Sequence, residues 1–159
     1  MKLFEPIKIG NVELKNRVIM APMENGMAEV GTGEVTDRII AFFEERAQHN
    51  IAMIMPGSIG VSPEGRGLPT QLSLFDEKQV AGHKRLVDAI HNKGSLVAAQ
   101  LYHAGRQASE AITGLDPLAP SAIPCGILQN HPKEITHEQM DRIKEQFRQA
   151  ARWSIEAGY

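Results

Sequence analysis

One pattern, occurring three times, constrains this chain more than any other. A short unbroken apolar run is followed, after a loop, by a longer stretch whose apolar residues recur at helical spacing. The runs are Arg17 to Pro22, Ile51 to Met55 and Ser95 to Leu101. Continuous apolar runs of this length predict strands buried on both faces, the kind that parallel sheets with helical crossovers need. Each helical stretch opens on a capping residue. Thr36 starts a helix to about His49, with Ile39, Ile40, Phe42, Phe43 and Ala47 facing inward. Asp76 and Gln79 form a capping box for the second, whose inner stripe is Val80, His83, Leu86, Val87 and Ile90, with Gly94 placed to end it. Thr136 and Gln139 box the third, with Met140, Ile143, Phe147, Ala150, Ala151 and Ile155 as its stripe and Gly158 as its stop. Ahead of the first unit, Ile7-Lys8-Ile9 and Val12-Glu13-Leu14 flank Gly10-Asn11, which predicts a small hairpin. The segments between these elements, notably 102–135, read as loops, and one so long points to function.

Alternating strands and helices argue an α/β fold with a parallel sheet. A doubly wound sheet and a (β/α)8 barrel both satisfy that order. A dinucleotide fold should carry G-x-G-x-x-G after its first strand. Here the turn reads Ala21-Pro22-Met23-Glu24-Asn25-Gly26, which favours the barrel. A barrel needs about 250 residues, and 159 residues hold three βα units. The expectation is therefore that residues 1–159 are one incomplete barrel domain, either a fragment or part of a split barrel. A net charge of −2 implies no broad attraction to nucleic acid or membrane, and no apolar run approaches the length of a membrane span. Met1 to Pro6 lacks the apolar segment of a secretory signal, and the single Cys125 has no partner for an internal disulfide. A cytoplasmic protein is the reading.

Four segments, in order, resemble the Old Yellow Enzyme-like NADH:flavin oxidoreductases, a family that includes NADH oxidases and dienoyl-CoA reductases. They are Asn16-Arg17-Val18-Ile19-Met20-Ala21-Pro22-Met23; Thr36-Asp37-Arg38 with Phe43-Glu44-Glu45-Arg46-Ala47; Gln100-Leu101-Tyr102-His103-Ala104-Gly105-Arg106; and Ala119-Pro120-Ser121-Ala122-Ile123-Pro124. The resemblance implies a barrel with FMN at the C-terminal ends of its strands. It also implies NADH or NADPH as reductant, and hydride delivery to a small electron-poor alkene such as an α,β-unsaturated carbonyl. The family's substrate-anchoring pair, tyrosine proton donor and phosphate loops belong with and after the fourth strand. No catalytic residue is therefore assigned here, and Tyr159 falls too early for that donor.

What remains is one wall of a flavin site. Ala21, Pro22 and Met23 end the first strand, where main-chain groups can meet a planar polar ring. Gly57 and Ser58 end the second, small enough for close approach. Gln100 ends the third, and a buried carboxamide there would match a ring edge offering donor and acceptor. Glu24 departs from the small polar or thiol residue of relatives, and its carboxylate beside a flavin would disfavour negative charge on the ring. Gly26 would widen the mouth for a large substrate. Arg106 and His103 read as loop anchors, Cys125 as a loop thiol, and the histidine spacing argues against a metal. Of two rivals, a barrel aldolase needs a lysine at a strand end, and the strand ends have none. The other is a non-catalytic half-barrel that self-associates as a homo-oligomer or pairs with a second chain through its exposed sheet edges.

Overall fold

Gly10 adopts a φ of +58° and turns the chain between β1 (Ile7–Ile9) and β2 (Val12–Leu14), which pair antiparallel with Ile9 opposite Val12. The computed structural model describes residues 1–128 and 130–159. Asn16, buried, then fixes the start of the first inner strand. Its Oδ1 accepts from Val18 N–H at 2.9 Å and its Nδ2 donates to the Asn50 carbonyl at 2.7 Å.

Three strands form the expected parallel sheet: β3 (Ile19–Met20), β4 (Met53–Ile54) and, later in the chain, β7 (Leu96–Val97), in the order β3-β4-β7. The expectation of strands buried on both faces holds for Ile54 and Val97 at 0% and 6% exposed, but not for Ile19 at 37%. β3 is an edge strand, paired on one side only.

The helices follow their capping signals. α1 (Asp37–Ala47) starts at Thr36, whose Oγ1 accepts from Ile39 N–H at 3.3 Å. It stops two residues short of His49, and Asn50 follows at a φ of +60°. α2 (Val80–His91) continues from a short 3-10 turn over Glu77–Gln79 closed by the Asp76–Gln79 capping box, and all five residues of its predicted stripe are buried. The Thr136–Gln139 capping box opens α4 (His137–Ala157), and Gly158 ends it at a φ of +96°. Burying each Ile, Leu or Phe of this core contributes about 1.5–3 kcal/mol, and Ile39, Phe43, Ile54, Leu86 and Ile90 are all at or near zero exposure.

The α4 stripe is rotated from expectation. Ala150, Ser154 and Ala157 are buried, whereas Met140 and Ile155 are exposed, Ile155 at 76%. Small residues let α4 lie against α2, while Ile155 overhangs an apolar groove of about 600 Å³ along the unpaired edge of β7, shared with Leu96, Leu101 and Tyr159.

The loop expectations need the larger correction. The second and third strands resume after short interruptions as β5 (Ile59–Gly60) and β8 (Leu101–Tyr102), joined by β6 (Leu72–Ser73) in a second parallel sheet ordered β6-β5-β8. The segment 102–135 holds a 3-10 turn at Gly105–Gln107, a one-turn helix α3 (Glu110–Thr113), and β9 (Leu118–Ala119) paired parallel with β10 (Lys133–Glu134). Elements of two to four residues carry too little periodicity to be read from sequence.

Candidate functional site at the strand ends

The interruption between the two sheets is where the predicted site residues lie. Residues 55–58 separate β4 from β5, whereas 98–100 separate β7 from β8, so one additional residue is accommodated on the β4–β5 side. The Gly57–Ser58 peptide bond there is cis. Ile59 N–H donates to the Gln100 carbonyl at 2.9 Å, closing the gap.

Gly57 is the meeting point of the three strand ends. A Cβ on it would sit 2.7 Å from Gln100 Oε1, 2.9 Å from Pro22 Cβ and 3.1 Å from Gln100 Cβ. Pro22, Gly57 and Gln100 are therefore in one layer, packed so closely that position 57 has no room for a side chain. Gln100 is exposed rather than buried as expected. It projects from the gap between β7 and β8 and presents its amide at the surface, not within the sheet. Ala21 and Met23 are exposed as well, Met23 at 56%, so Met23 is not a core methionine.

Glu24 and Ser58 join this layer through a hydrogen-bonded chain with a fixed direction. Gly67 N–H donates to Gln71 Oε1 at 2.8 Å, and a backbone N–H cannot reverse its role. Gln71 Nε2 must then face Ser58 Oγ, to which it donates at 2.5 Å. Ser58 Oγ in turn donates to Glu24 Oε2 at 3.2 Å. The other Glu24 oxygen accepts from Gly26 N–H at 3.4 Å. Partial burial lifts the Glu24 carboxyl above its ordinary range, against these hydrogen bonds from Gly26 and Ser58, which pull it down. Gln71, 1% exposed, was not singled out in the sequence. A glutamine beside a leucine in a loop carries no signal until the loop folds back.

Glu24, Ser58, Gln71 and Tyr102 line a cavity of about 280 Å³. The Tyr102 phenol is held above its ordinary pKa by burial and by the nearby Glu24 charge. Arg66 sits behind this wall, 5% exposed, with a guanidinium that donates to the carbonyls of Gly31 and, at 2.7 Å, Pro69. It ties the loop after β3 to the loop before β6, as do Gly31 N–H to Pro69 O at 3.1 Å and Ala28 N–H to Thr70 O at 3.3 Å. Sequence reading missed it too, since an isolated arginine in a glycine-rich loop reads as solvent-exposed.

The remaining candidates lie apart from this layer. Arg106 is exposed in the 3-10 turn. His103 Nδ1 accepts from Gly105 N–H at 3.0 Å and its ring packs against Gly65, an anchoring role. Cys125 is buried and not in a disulfide. No helix is long and apolar enough to cross a membrane among the described residues.

The model of the NADH:flavin oxidoreductase / NADH oxidase family matches residues 2–159, almost the whole chain. The chain belongs to this family. Among its relatives, an NADH oxidase of Thermoanaerobacter brockii is 37% identical over 151 residues, 94% of this chain and 23% of that protein. A metal reductase of Desulforamulus reducens is 39% identical over 158 residues, 99% of this chain and 23% of that one. The chain thus spans about a quarter of the length of these relatives. Among solved structures, a 2-naphthoyl-CoA reductase in complex with 2-naphthoyl-CoA superposes with a TM-score of 0.95 at 27% identity, over 99% of this chain and 26% of that one. Morphinone reductase in complex with tetrahydroNAD does so with a TM-score of 0.93 at 28% identity, over 100% of this chain and 47% of its own length. The fold is the N-terminal portion of the barrel of these enzymes, and the Old Yellow Enzyme resemblance read from the four segments is correct.

Proposed function

We propose that residues 1–159 form the N-terminal part of an FMN-binding barrel domain. The complete protein would be an NADH- or NADPH-dependent, cytoplasmic reductase of small electron-poor alkenes, α,β-unsaturated carbonyls among them. The observation that carries this reading is the convergence of Pro22, Gly57 and Gln100 at the strand ends, packed so closely that position 57 can carry no side chain. A flat ring needs such a side-chain-free floor, and a rim that both donates and accepts hydrogen bonds. Gln100 supplies that rim with its amide, and the main chain of Ala21, Pro22 and Met23 supplies another. Ser58 and Glu24 offer the remaining polar edge.

FMN, when bound, supplies hydride transfer, which no side chain of this segment can perform. The protein's own residues orient and bias it. Gln100 and the strand-end main chain fix the ring's position. The carboxylate of Glu24 disfavours accumulation of negative charge nearby, which lowers the reduction potential. The groove along β7 supports a partner, namely the remainder of the barrel supplying a further parallel strand. On this reading, the segment alone turns over no substrate.

The test is the visible spectrum of the protein after incubation with FMN and gel filtration. About one flavin retained per chain, reduced in bulk by Gln100→Ala, supports the assignment, and NADH-driven loss of an enone's absorbance then tests the reaction. Retention unaffected by both Gln100→Ala and Gly57→Ala would show that the ring lies elsewhere. In the intact flavoprotein, Glu24→Thr should raise the flavin potential; an unchanged potential removes Glu24 from the ring's surroundings.

A further inference from the structure

The cavity beside Glu24 contains more than the flavin assignment uses. Its wall combines one carboxylate with a phenol, Tyr102, and two half-exposed leucines, Leu68 and Leu128. Among the described residues lining it there is no lysine, arginine or histidine. The hydrogen-bond chain from Gly67 through Gln71 and Ser58 runs in one direction and ends on Glu24. With Gly26 N–H on the second oxygen, both carboxylate oxygens act as acceptors. These donors favour the ionised form of Glu24, against the desolvation that raises its pKa. A carboxylate can accept about four hydrogen bonds, so two donors leave it capacity facing the cavity. No ion pair involves Glu24 among the described residues.

An exposed carboxylate with two neutral donors and no cation, at the edge of a pocket with an aromatic and two aliphatic walls, is complementary to a cation on an apolar stem. We propose that this cavity is a subsite for a small organic cation, an ammonium on a short apolar or aryl stem, and that it selects alkene substrates carrying such a group. This rests on the flavin-site reading above, since Glu24 and Ser58 belong to both. The ammonium donates to the open positions of the Glu24 carboxylate, the stem lies between Leu68 and Leu128, and the Tyr102 ring faces the charge. The proposal is about binding and involves no bond making. An anionic substrate group is rejected by the same carboxylate, which gives the site selectivity in both directions.

Calorimetric titration of the protein, with and without FMN, tests this using three probes of nearly one shape: benzylamine, protonated at pH 7.5, benzyl alcohol and benzoate. The expected order is benzylamine tightest, roughly tenfold over benzyl alcohol as a charge-assisted hydrogen bond gives, with benzoate weakest. Glu24→Gln should remove the amine's advantage and leave benzyl alcohol unchanged. Tyr102→Leu, which removes the ring, should keep the order while weakening the amine. Equal affinities for amine and alcohol, or an advantage that survives Glu24→Gln, overturns the proposal. Loss of the flavin reading appears separately, as failure to retain FMN, because the probe ratio is read on the flavin-free protein as well.

Discussion

His83 makes the protein's stability depend on pH in a way the structure quantifies. Its ring is fully buried on the inner face of α2. Nε2 lies 3.0 Å from the Ser73 carbonyl, which can only accept, so the proton of the neutral ring is on Nε2. Nδ1 then accepts from the Tyr159 hydroxyl at 2.8 Å, and burial keeps that phenol protonated by raising its pKa. Both nitrogens are satisfied in the neutral form, and burial pushes the His83 pKa down from 6.5 to about 4. A depressed folded-state pKa means the unfolded chain binds the proton first. Stability is therefore intact above pH 6.5 and is lost as pH falls toward 4. With those two pKa values the loss between pH 8 and pH 5 is about 2 kcal/mol from this one group. Urea unfolding at the two pH values measures it. His83→Gln, which can still donate to Ser73 and accept from Tyr159 but does not titrate, should shrink the pH-dependent loss by about that amount. Carboxylates elsewhere contribute equally to both proteins and cancel in the difference. If the parent and His83→Gln lose the same stability between pH 8 and pH 5, the buried neutral histidine is refuted.

Two further substitutions test how the site is held. Gly57→Ala places a methyl group within 2.7 Å of Gln100 Oε1 and 2.9 Å of Pro22 Cβ, and should cost about 1–3 kcal/mol in urea unfolding; an unaltered midpoint would mean the strand ends are not packed as described. Arg66→Met removes donors to Gly31 and Pro69 while keeping an apolar stem, and hydrogen exchange should accelerate across 28–33 and 67–71 with the helices unaffected. Unchanged exchange in those two loops would show that the backbone bonds between them suffice.

The helices were legible because each carries two independent signals that agree. Thr136 and Gln139 mark a start chemically, Gly158 marks a stop conformationally, and the apolar residues between them set a face. The face was wrong at Ile155 because periodicity counts apolar residues without asking what covers them. Ala150, Ser154 and Ala157 pack against α2 because they are small, and serine is not counted as apolar at all. The strands were legible as runs but not as objects. Ser95 to Leu101 reads as one strand, yet β7 and β8 are separated at 98–100, with the chain displaced relative to its neighbour by one residue. Ala98 and Ala99 continue the apolar run and Gln100 reads as a single polar residue at its end, so the pattern does not report that the strand stops and resumes.

That break explains which parts of the site could be read in advance. Residues at strand ends, Pro22, Ser58 and Gln100, are found by locating where apolar runs stop. Gln71, Gly67, Arg66 and Tyr102 reach the same wall only because β5 and β8 resume beyond the gap and bring β6 alongside. Their position depends on a long-range pairing, Ile59 with Leu72 on one side and with Leu101 on the other. The same pairing decides the exposure of Gln100. A glutamine within an unbroken strand would have been buried and would have needed a partner inside the sheet. At a gap between two strand segments its main-chain carbonyl serves Ile59 while its side chain turns outward. The interruption therefore does two jobs with one residue, joining the two strand segments through the backbone and leaving an amide exposed at the strand ends.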